Sequence, residues 1–335
     1  MSTDIKNIVI TSAVRSAIGT FRGSLKEMQA SDFGTLVVKA AIEKSNLKPH
    51  DVDELILGQV LTAATGQNPA RQVAIRAGLP FEKTAYVINQ VCGSGLRSIA
   101  SGFQSIKAGD SRIVIAGGQE SMSLAPHAIH LRDGKKLGDA QITDTMIKDG
   151  LWDAFNGYHM GVTAENVATK FQVTRDDQDK FALESQKKAF QAQKDNKFKE
   201  EIINFKIKSK KTETVFNKDE HPREGVNLEA LRRLKPVFKK DGTVTAGNAS
   251  GINDGAAALT LMSSEEAEKR EMQKLASIKS WTSCGVDPAL MGTGPIPSSK
   301  KALDLAGWSI NDVDLFEINE AFAAQSIAVI RTLSI

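Results

Sequence analysis

The sequence predicts an α/β fold, and three observations predict it. Short apolar, β-branched runs alternate with segments of helical spacing, one stretch passes from strand to helix through Gly93-Ser94-Gly95, and the opening rhythm returns near the end of the chain. Strands separated by helices of this length imply a mostly parallel sheet covered on its faces.

Taken in order, residues 7–12 read as a strand, 31–46 as an amphipathic helix opened by Ser31-Asp32, 54–60 as a strand, and 68–78 as a helix closed by Gly78. From Thr84, the residues Tyr86, Val87, Ile88 and Val91 read as a buried strand. Leu96, Ile99, Phe103 and Ile106 place a helix directly after it, and residues 112–118 form the next strand. Between residues 120 and 247 the rhythm breaks. This stretch holds four of the five histidines, several methionines, a lysine-rich run (Lys206, Lys208, Lys210, Lys211) and a mostly polar helix at 175–196. An insertion of such size reads as a lid or binding lobe rather than a plain connection. Its lysine run reads most simply as a solvated face. Residues 248–262 then place a small-residue turn before a strand, followed by a strand at 274–281, a helix at 298–307, a strand at 314–318 and a helix at 322–333.

The returning rhythm aligns residue by residue. Residues 47–58 overlay 308–319 with an offset of 261, so that Asp51-Val52-Asp53 falls on Asp312-Val313-Asp314 and Gly58 on Asn319. The first copy continues to Cys92, whose counterpart would fall at position 353, beyond Ile335. The second copy therefore reads as unfinished. Its sheet would lack strands, and the 322–333 helix would keep an uncovered apolar face.

Composition excludes several classes. At 335 residues with 41% hydrophobic and 25% charged, the chain has material for two ordinary globular cores. No apolar run reaches the length of a spanning helix, and the first ten residues carry charge where a signal peptide needs an apolar core, so the expected location is the cytoplasm, with no membrane partner. A net charge of +3 is too small to imply nucleic acid, though it suits an anionic small ligand. Two cysteines make neither a disulfide framework nor a four-cysteine metal site, and no other metal-ligand constellation is visible. Gly93-Ser-Gly95 lacks the third glycine and the distant acid of a dinucleotide fingerprint.

Cys92 sits where a strand becomes a helix. Unpaired backbone N–H groups and the positive end of the helix dipole there favour a thiolate and hold a developing oxyanion, which is what a cysteine nucleophile needs. The alternative is a buried cysteine serving as a small hydrophobe. Cys284 has no such setting and reads as structural.

Six segments carry a family resemblance: Asn89-Gln-Val-Cys92-Gly-Ser-Gly, Gly117-Gly-Gln-Glu-Ser-Met, Tyr158-His159-Met160-Gly, Gly247-Asn-Ala-Ser250-Gly-Ile-Asn-Asp-Gly, Met291-Gly-Thr-Gly-Pro and Asn319-Glu-Ala-Phe-Ala-Ala. Together, in order and at plausible spacing from the first strand to Ile335, they resemble a thiolase, most closely the short-chain acetyl-CoA acetyltransferase group. The resemblance implies a duplicated α/β fold of two similar mixed-sheet halves in layers. The first half would be residues 1–119 with 248–270, the lid insertion over coenzyme A 120–247, and the truncated second half 271–335. It implies a substrate pair of acetyl-CoA and acetoacetyl-CoA, no cofactor beyond the coenzyme A thioester itself, and a homodimer or homotetramer, with residues 127–138 resembling the loop that joins dimers.

By the same resemblance Cys92 is the nucleophile, which takes an acyl group from one thioester and passes it to the enolate of a second. Asn319 would orient a water that holds the enolate oxygen; the lesser alternative, from its residue type, is a polar cap at a strand end. His159 and Met160 would lie beside the acyl group and pantetheine. Leu151, Arg223, Ala246, Ser250, Met291, Ala321 and Phe322 resemble coenzyme A or acyl-pocket positions, where a guanidinium such as that of Arg223 suits a nucleotide phosphate. Ala230 stands where related thiolases often have a serine. The Gly-His-Pro and Cys-Gly-Gly-Gly segments that supply the family's acid/base groups do not occur in the 335 residues, so the chain reads as a fragment with little turnover. A longer-chain 3-ketoacyl-CoA thiolase and an inactive coenzyme A-binding subunit are the alternatives. Ketoacyl or hydroxymethylglutaryl-CoA synthases fit Tyr158-His159-Met160 and Asn319-Glu-Ala-Phe less well.

Overall fold

The computed structural model describes residues 7–208 and 213–335; Lys210 and Lys211 of the lysine run lie outside them. The chain divides into two compact units, the first made of Met1–Gly150, Phe198–His221 and Ile252–Ile278.

The first unit is a sheet with helices on both faces. Its elements are β1 (Ile8–Arg15), α1 (Ala30–Lys44), β2 (Glu54–Gly58), α2 (Pro69–Arg76), β3 (Thr84–Ile88), α3 (Ser94–Ala108), β4 (Ile113–Ser121) and β5 (Asn253–Ser263). The strand order is Ala276–Ser277, β1, β5, β4, β2, β3, with Gly19–Thr20 also pairing β5. Alternation across the pleat sorts the buried side chains to two faces. Leu55, Leu57, Ile113 and Ile115 pack against Phe33, Val37 and Val38 of α1 and Val73 of α2. Ile56, Val114 and Ala116 pack against Ile106, with Ile99 and Phe103 of α3 around them. Burial on both sides is why these strands read in the sequence as unbroken apolar runs.

The sheet is mixed, not mostly parallel. β2 runs parallel to β3 and to β4, whereas β5 is antiparallel to β4 and to β1, with a bulge between Ile10 and Ser12. β5 arrives from the long insertion rather than from a single crossover helix, so its connection does not force a parallel return.

The second unit comprises Leu151–Lys197, Pro222–Gly251 and Lys279–Ile335. It is built on α4 (Met160–Lys170), α5 (Arg175–Lys194), α6 (Pro295–Ala306) and α7 (Ala323–Leu333). Thr174 and Asp177 close the start of α5 as a reciprocal capping box. The expected bare face on the 322–333 helix is not found. Ala324, Ile327 and Ala328 of α7 are buried against Val167 and Ala168 of α4, with Phe181 of α5 packed on the same cluster. Helices from the insertion do the covering.

The repeat is legible in local structure, and then it stops. Asp51 accepts the Lys48 N–H at 2.8 Å and Asp312 accepts the Ser309 N–H at 2.7 Å, each closing one turn of 3₁₀ helix, Pro49–Asp51 and Ile310–Asp312. After the first turn the chain enters β2. After the second, residues 314–318 form no strand and Leu315 is exposed, because no described strand lies alongside to pair with it. The expected 274–281 strand shortens to Ala276–Ser277, which pairs with β1 in the first unit.

Candidate active site

Cys92 lies in the first unit, between the end of β3 and the start of α3, as expected. Two features of that turn come from the sequence. Gly58, at the end of β2, leaves room for the turn, since a Cβ there would stand 2.4 Å from the Ser94 carbonyl carbon. Val91, just before the cysteine, is left-handed, with φ of 48°.

The electrostatics differ from the expected thiolate. Cys92 is an exposed residue, yet protein packed around its sulfur pushes the thiol up; its own backbone N–H pulls it down, and the Glu120 carboxylate raises it again. The expected unpaired N–H groups are largely in use. Gly93 donates to the Gln90 carbonyl at 3.0 Å and Ser94 to that of Val91 at 3.1 Å.

Glu120 is a site residue to which the sequence reading gave no role, although it lies inside Gly117-Gly-Gln-Glu-Ser-Met. It accepts the Val60 N–H at 2.8 Å and the Leu61 N–H at 3.0 Å, pinning the loop after β2. Burial pushes its carboxyl up, against these two donors. The loop's other anchor is Gln59, which accepts from Gln119 at 2.8 Å and donates to the Leu61 carbonyl at 3.1 Å.

Ten of the sequence-derived residues lie in the second unit: Leu151, His159, Met160, Arg223, Ala246, Ser250, Met291, Asn319, Ala321 and Phe322. Five of them meet. His159 stacks on Phe238 with centroids 4.6 Å apart, and Phe238 meets Phe322 edge-on at 6.4 Å. Met160, Ala249 and Ala321 pack into the same cluster, and the Ser250 N–H donates to the Ala321 carbonyl at 3.0 Å. Phe238 has no signal in the sequence beyond its apolar character. His159 Nδ1 accepts the Gly161 N–H at 3.0 Å and caps α4, and burial holds its imidazole below the usual histidine range.

The rest stand apart from that cluster. Asn319, Ala246 and Arg223 have exposed side chains, as has Ser250 of the cluster, and the Arg223 backbone N–H donates to Gln186 at 2.9 Å. Leu151 ends a helical turn at Met146–Leu151, and Met291 lies in the Pro288–Thr293 turn. Among the described residues no group of three or more metal-ligating side chains is found, and no helix is long and apolar enough to cross a membrane.

A mixed sheet with helices on both faces, carrying a thiol at the turn from its edge strand β3 into α3, defines an α/β protein of cysteine-bearing site type. The family follows from comparison. The model of the thiolase N-terminal domain matches residues 8–265 and that of the thiolase C-terminal domain residues 272–335. The chain belongs to the thiolase family of enzymes. It is 58% identical to an acetyl-CoA acetyltransferase of Paracoccus denitrificans, over 97% of this chain and 83% of that protein. It is 51% identical to the cytosolic acetyl-CoA acetyltransferase of Rattus norvegicus, over 98% and 83%. Among solved structures it superposes on the Bacillus anthracis acetyl-CoA acetyltransferase with a TM-score of 0.97 at 44% identity, covering 100% of this chain and 85% of that one. Human mitochondrial 3-ketoacyl-CoA thiolase gives 0.96 at 40% identity, covering 99% and 84%. Both family domains are represented, so the comparisons do not support the expectation of an incomplete second half.

Proposed function

We propose that the chain is an acetyl-CoA C-acetyltransferase, joining two acetyl-CoA into acetoacetyl-CoA and free coenzyme A, or running the reverse thiolysis. The observation that carries this reading is the 58% identity to a relative of that name, with Cys92 at the start of α3. In the first half-reaction the Cys92 thiolate attacks the thioester carbonyl, its carbon–sulfur bond to coenzyme A breaks, and coenzyme A leaves as the thiol after taking a proton. In the second, the α-carbon of another acetyl-CoA loses a proton and its enolate attacks the acyl-cysteine, which releases the Cys92 sulfur.

In this reading the Cys92 N–H contributes to an oxyanion hole and Asn319 orients a water toward the enolate oxygen. His159 and Met160 lie beside the acyl group and pantetheine. Leu151, Arg223, Ala246, Ser250, Met291, Ala321 and Phe322 line the coenzyme A and acyl positions, and residues 120–247 serve as the covering lobe. The coenzyme A thioester is substrate, and no separate cofactor takes part. The rat relative's name supports a cytosolic location.

A second copy of the chain is the proposed protein partner, in a homodimer or homotetramer. β3 ends the sheet as an edge strand, and Phe81, Tyr86, Val91 and Leu96 around it are exposed. Sedimentation of the purified chain tests this, and a monomer at every concentration would sink it.

Incubation with acetyl-CoA followed by intact mass tests the chemistry: the chain gains one acetyl group, and Cys92→Ser gains none. The superposition on the human 3-ketoacyl-CoA thiolase favours one second reading, a longer-chain thiolase. Acylation of Cys92 by thioesters of rising chain length separates the two. Binding of coenzyme A without any acylation would leave only a coenzyme A-binding subunit.

A further inference from the structure

Val91 is a β-branched residue in the left-handed region, where valine is a genuine outlier. It occupies the first central position of the turn closed by Gly93 N–H to Gln90 C=O, while Cys92 at the second central position keeps a negative φ. That combination ordinarily calls for glycine at the first position. The valine is not held there by burial, since its side chain is 49% exposed.

What holds it is a set of local hydrogen bonds. The Ser94 Oγ accepts the Gln90 N–H at 2.8 Å and donates to the Val91 carbonyl at 2.6 Å. The Val91 N–H itself donates to Asn89 Oδ1 at 2.9 Å. Both polar ends of the strained peptide are thus tied, and Ser94 is 4% exposed. The first turn of α3 cannot move off to relax the strain, because Gly58 lies against the Ser94 backbone and Gly118 has the Gly95 Cα 3.5 Å from where its own Cβ would be.

We propose that Ser94 and Asn89 are positioning residues that hold Val91 in its left-handed conformation and so fix the backbone of Cys92. The inference rests on the reading of Cys92 as the nucleophile only for its catalytic consequence; the geometry stands without it. The Ser94 hydroxyl bonds to the Gln90 N–H and the Val91 carbonyl rather than to the thiol. It acts through the turn.

The test uses Ser94→Ala, Ser94→Thr and Val91→Gly in the whole chain and reads the rate at which iodoacetamide alkylates Cys92 from about pH 6 to 10, with Cys284 in the same sample as reference. With the clamp removed in Ser94→Ala, the Cys92 profile is expected to move to higher pH by about half a unit, about 3-fold in rate at fixed pH, while Cys284 is unchanged. Ser94→Thr, which keeps the hydroxyl, restores the profile. Val91→Gly, which takes the left-handed conformation without strain and so needs no clamp, leaves the profile where it is in the parent chain. Superimposable profiles for Ser94→Ala and the parent chain, or a shift to lower pH, would overturn the proposal. A change in Cys284 as well marks general loosening and also counts against it. Acetylation of Cys92 by acetyl-CoA, measured in parallel, separates the two ideas: if the parent chain takes no acetyl group the nucleophile reading fails, and the alkylation comparison still decides the role of Ser94.

Discussion

The Gly161 N–H donates to Nδ1 of His159, at 3.0 Å, so this imidazole serves as the acceptor that starts α4. An N-cap acceptor needs a lone pair, and protonation would remove it. Burial also disfavours the charged ring. The folded state therefore binds the His159 proton less readily than the unfolded chain. The sign follows: this contribution to stability is full above the unfolded value of about 6.5 and declines as pH falls below it. His159→Asn keeps an acceptor at the cap without a titrating group. Urea midpoints for the parent chain should drop between about pH 7 and 5 relative to those of His159→Asn. Parallel pH profiles for the two would refute the assignment.

Asp179 is fully buried and joins α5 to the loop that precedes Ser250. Its carboxylate accepts from Arg175 Nε at 2.8 Å and from Asn248 Nδ2 at 3.0 Å. Asn248 in turn accepts the Thr245 N–H at 2.8 Å, donates to the Thr243 carbonyl at 3.1 Å, and through its own carbonyl receives the Ala323 N–H at 2.9 Å. Removing the carboxylate strands a partly buried guanidinium and a buried amide together. Asp179→Ala should cost about 3–5 kcal/mol in unfolding free energy, as for one partner of a buried ion pair. Asp179→Asn, which keeps an acceptor, should cost less. Equal losses in the two variants would show that the charge matters and the hydrogen-bond geometry does not.

Asp53 ties three parts of the first unit at the base of β2. Burial opposes its charge, but Lys83 at 2.9 Å, the backbone N–H groups of Arg112 and Ile113, and the Arg112 side chain outweigh it and hold the carboxyl at about 2. With a depressed folded value, its stabilisation is present above the unfolded 3.8 and is lost as pH falls from there toward 2. The size is on the order of 1–2 kcal/mol after allowing for partial solvent screening. Asp53→Asn should flatten acid unfolding in that window, read by circular dichroism. An unaltered acid transition would rule out this carboxylate as a contributor.

How much of this was legible follows from what each residue's neighbours are. The runs at Leu55–Leu57 and Ile113–Ala116 were readable because burial on both faces leaves no polar interruption, and the Cys92 turn because Gly93 and Gly95 mark a break of period. The direction of β5 was not, since nothing within residues 253–263 encodes which way a strand returns from a distant insertion. Residues 314–318 have the composition of a strand, but a strand exists only by pairing, and pairing is not a property of the segment. The thiol's environment was misjudged for a related reason. Glu120 and the packing around the sulfur are contributed by residues far away in sequence, and the turn consumes N–H groups that the local pattern counts as free. His159, by contrast, was visible through resemblance, while its cap to Gly161 could have been found from its place just before a helical run.

The Glu120 carboxylate acts on Cys92 and on the loop after β2 at once, and the two effects separate on substitution. Glu120→Gln keeps the shape and removes the negative charge that raises the thiol, so the Cys92 alkylation profile should move to lower pH, opposite in direction to the effect of Ser94→Ala. The amide offers only one acceptor oxygen where the carboxylate serves both Val60 and Leu61, so one of these N–H groups loses its partner. That loss should cost about 1–3 kcal/mol in unfolding free energy. A variant with a more reactive Cys92 and a less stable fold is therefore the expected outcome, measured by iodoacetamide rates and urea unfolding on the same preparation. A Cys92 profile that stays in place or moves to higher pH would mean that the Glu120 charge does not reach the sulfur, and that packing alone sets the thiol.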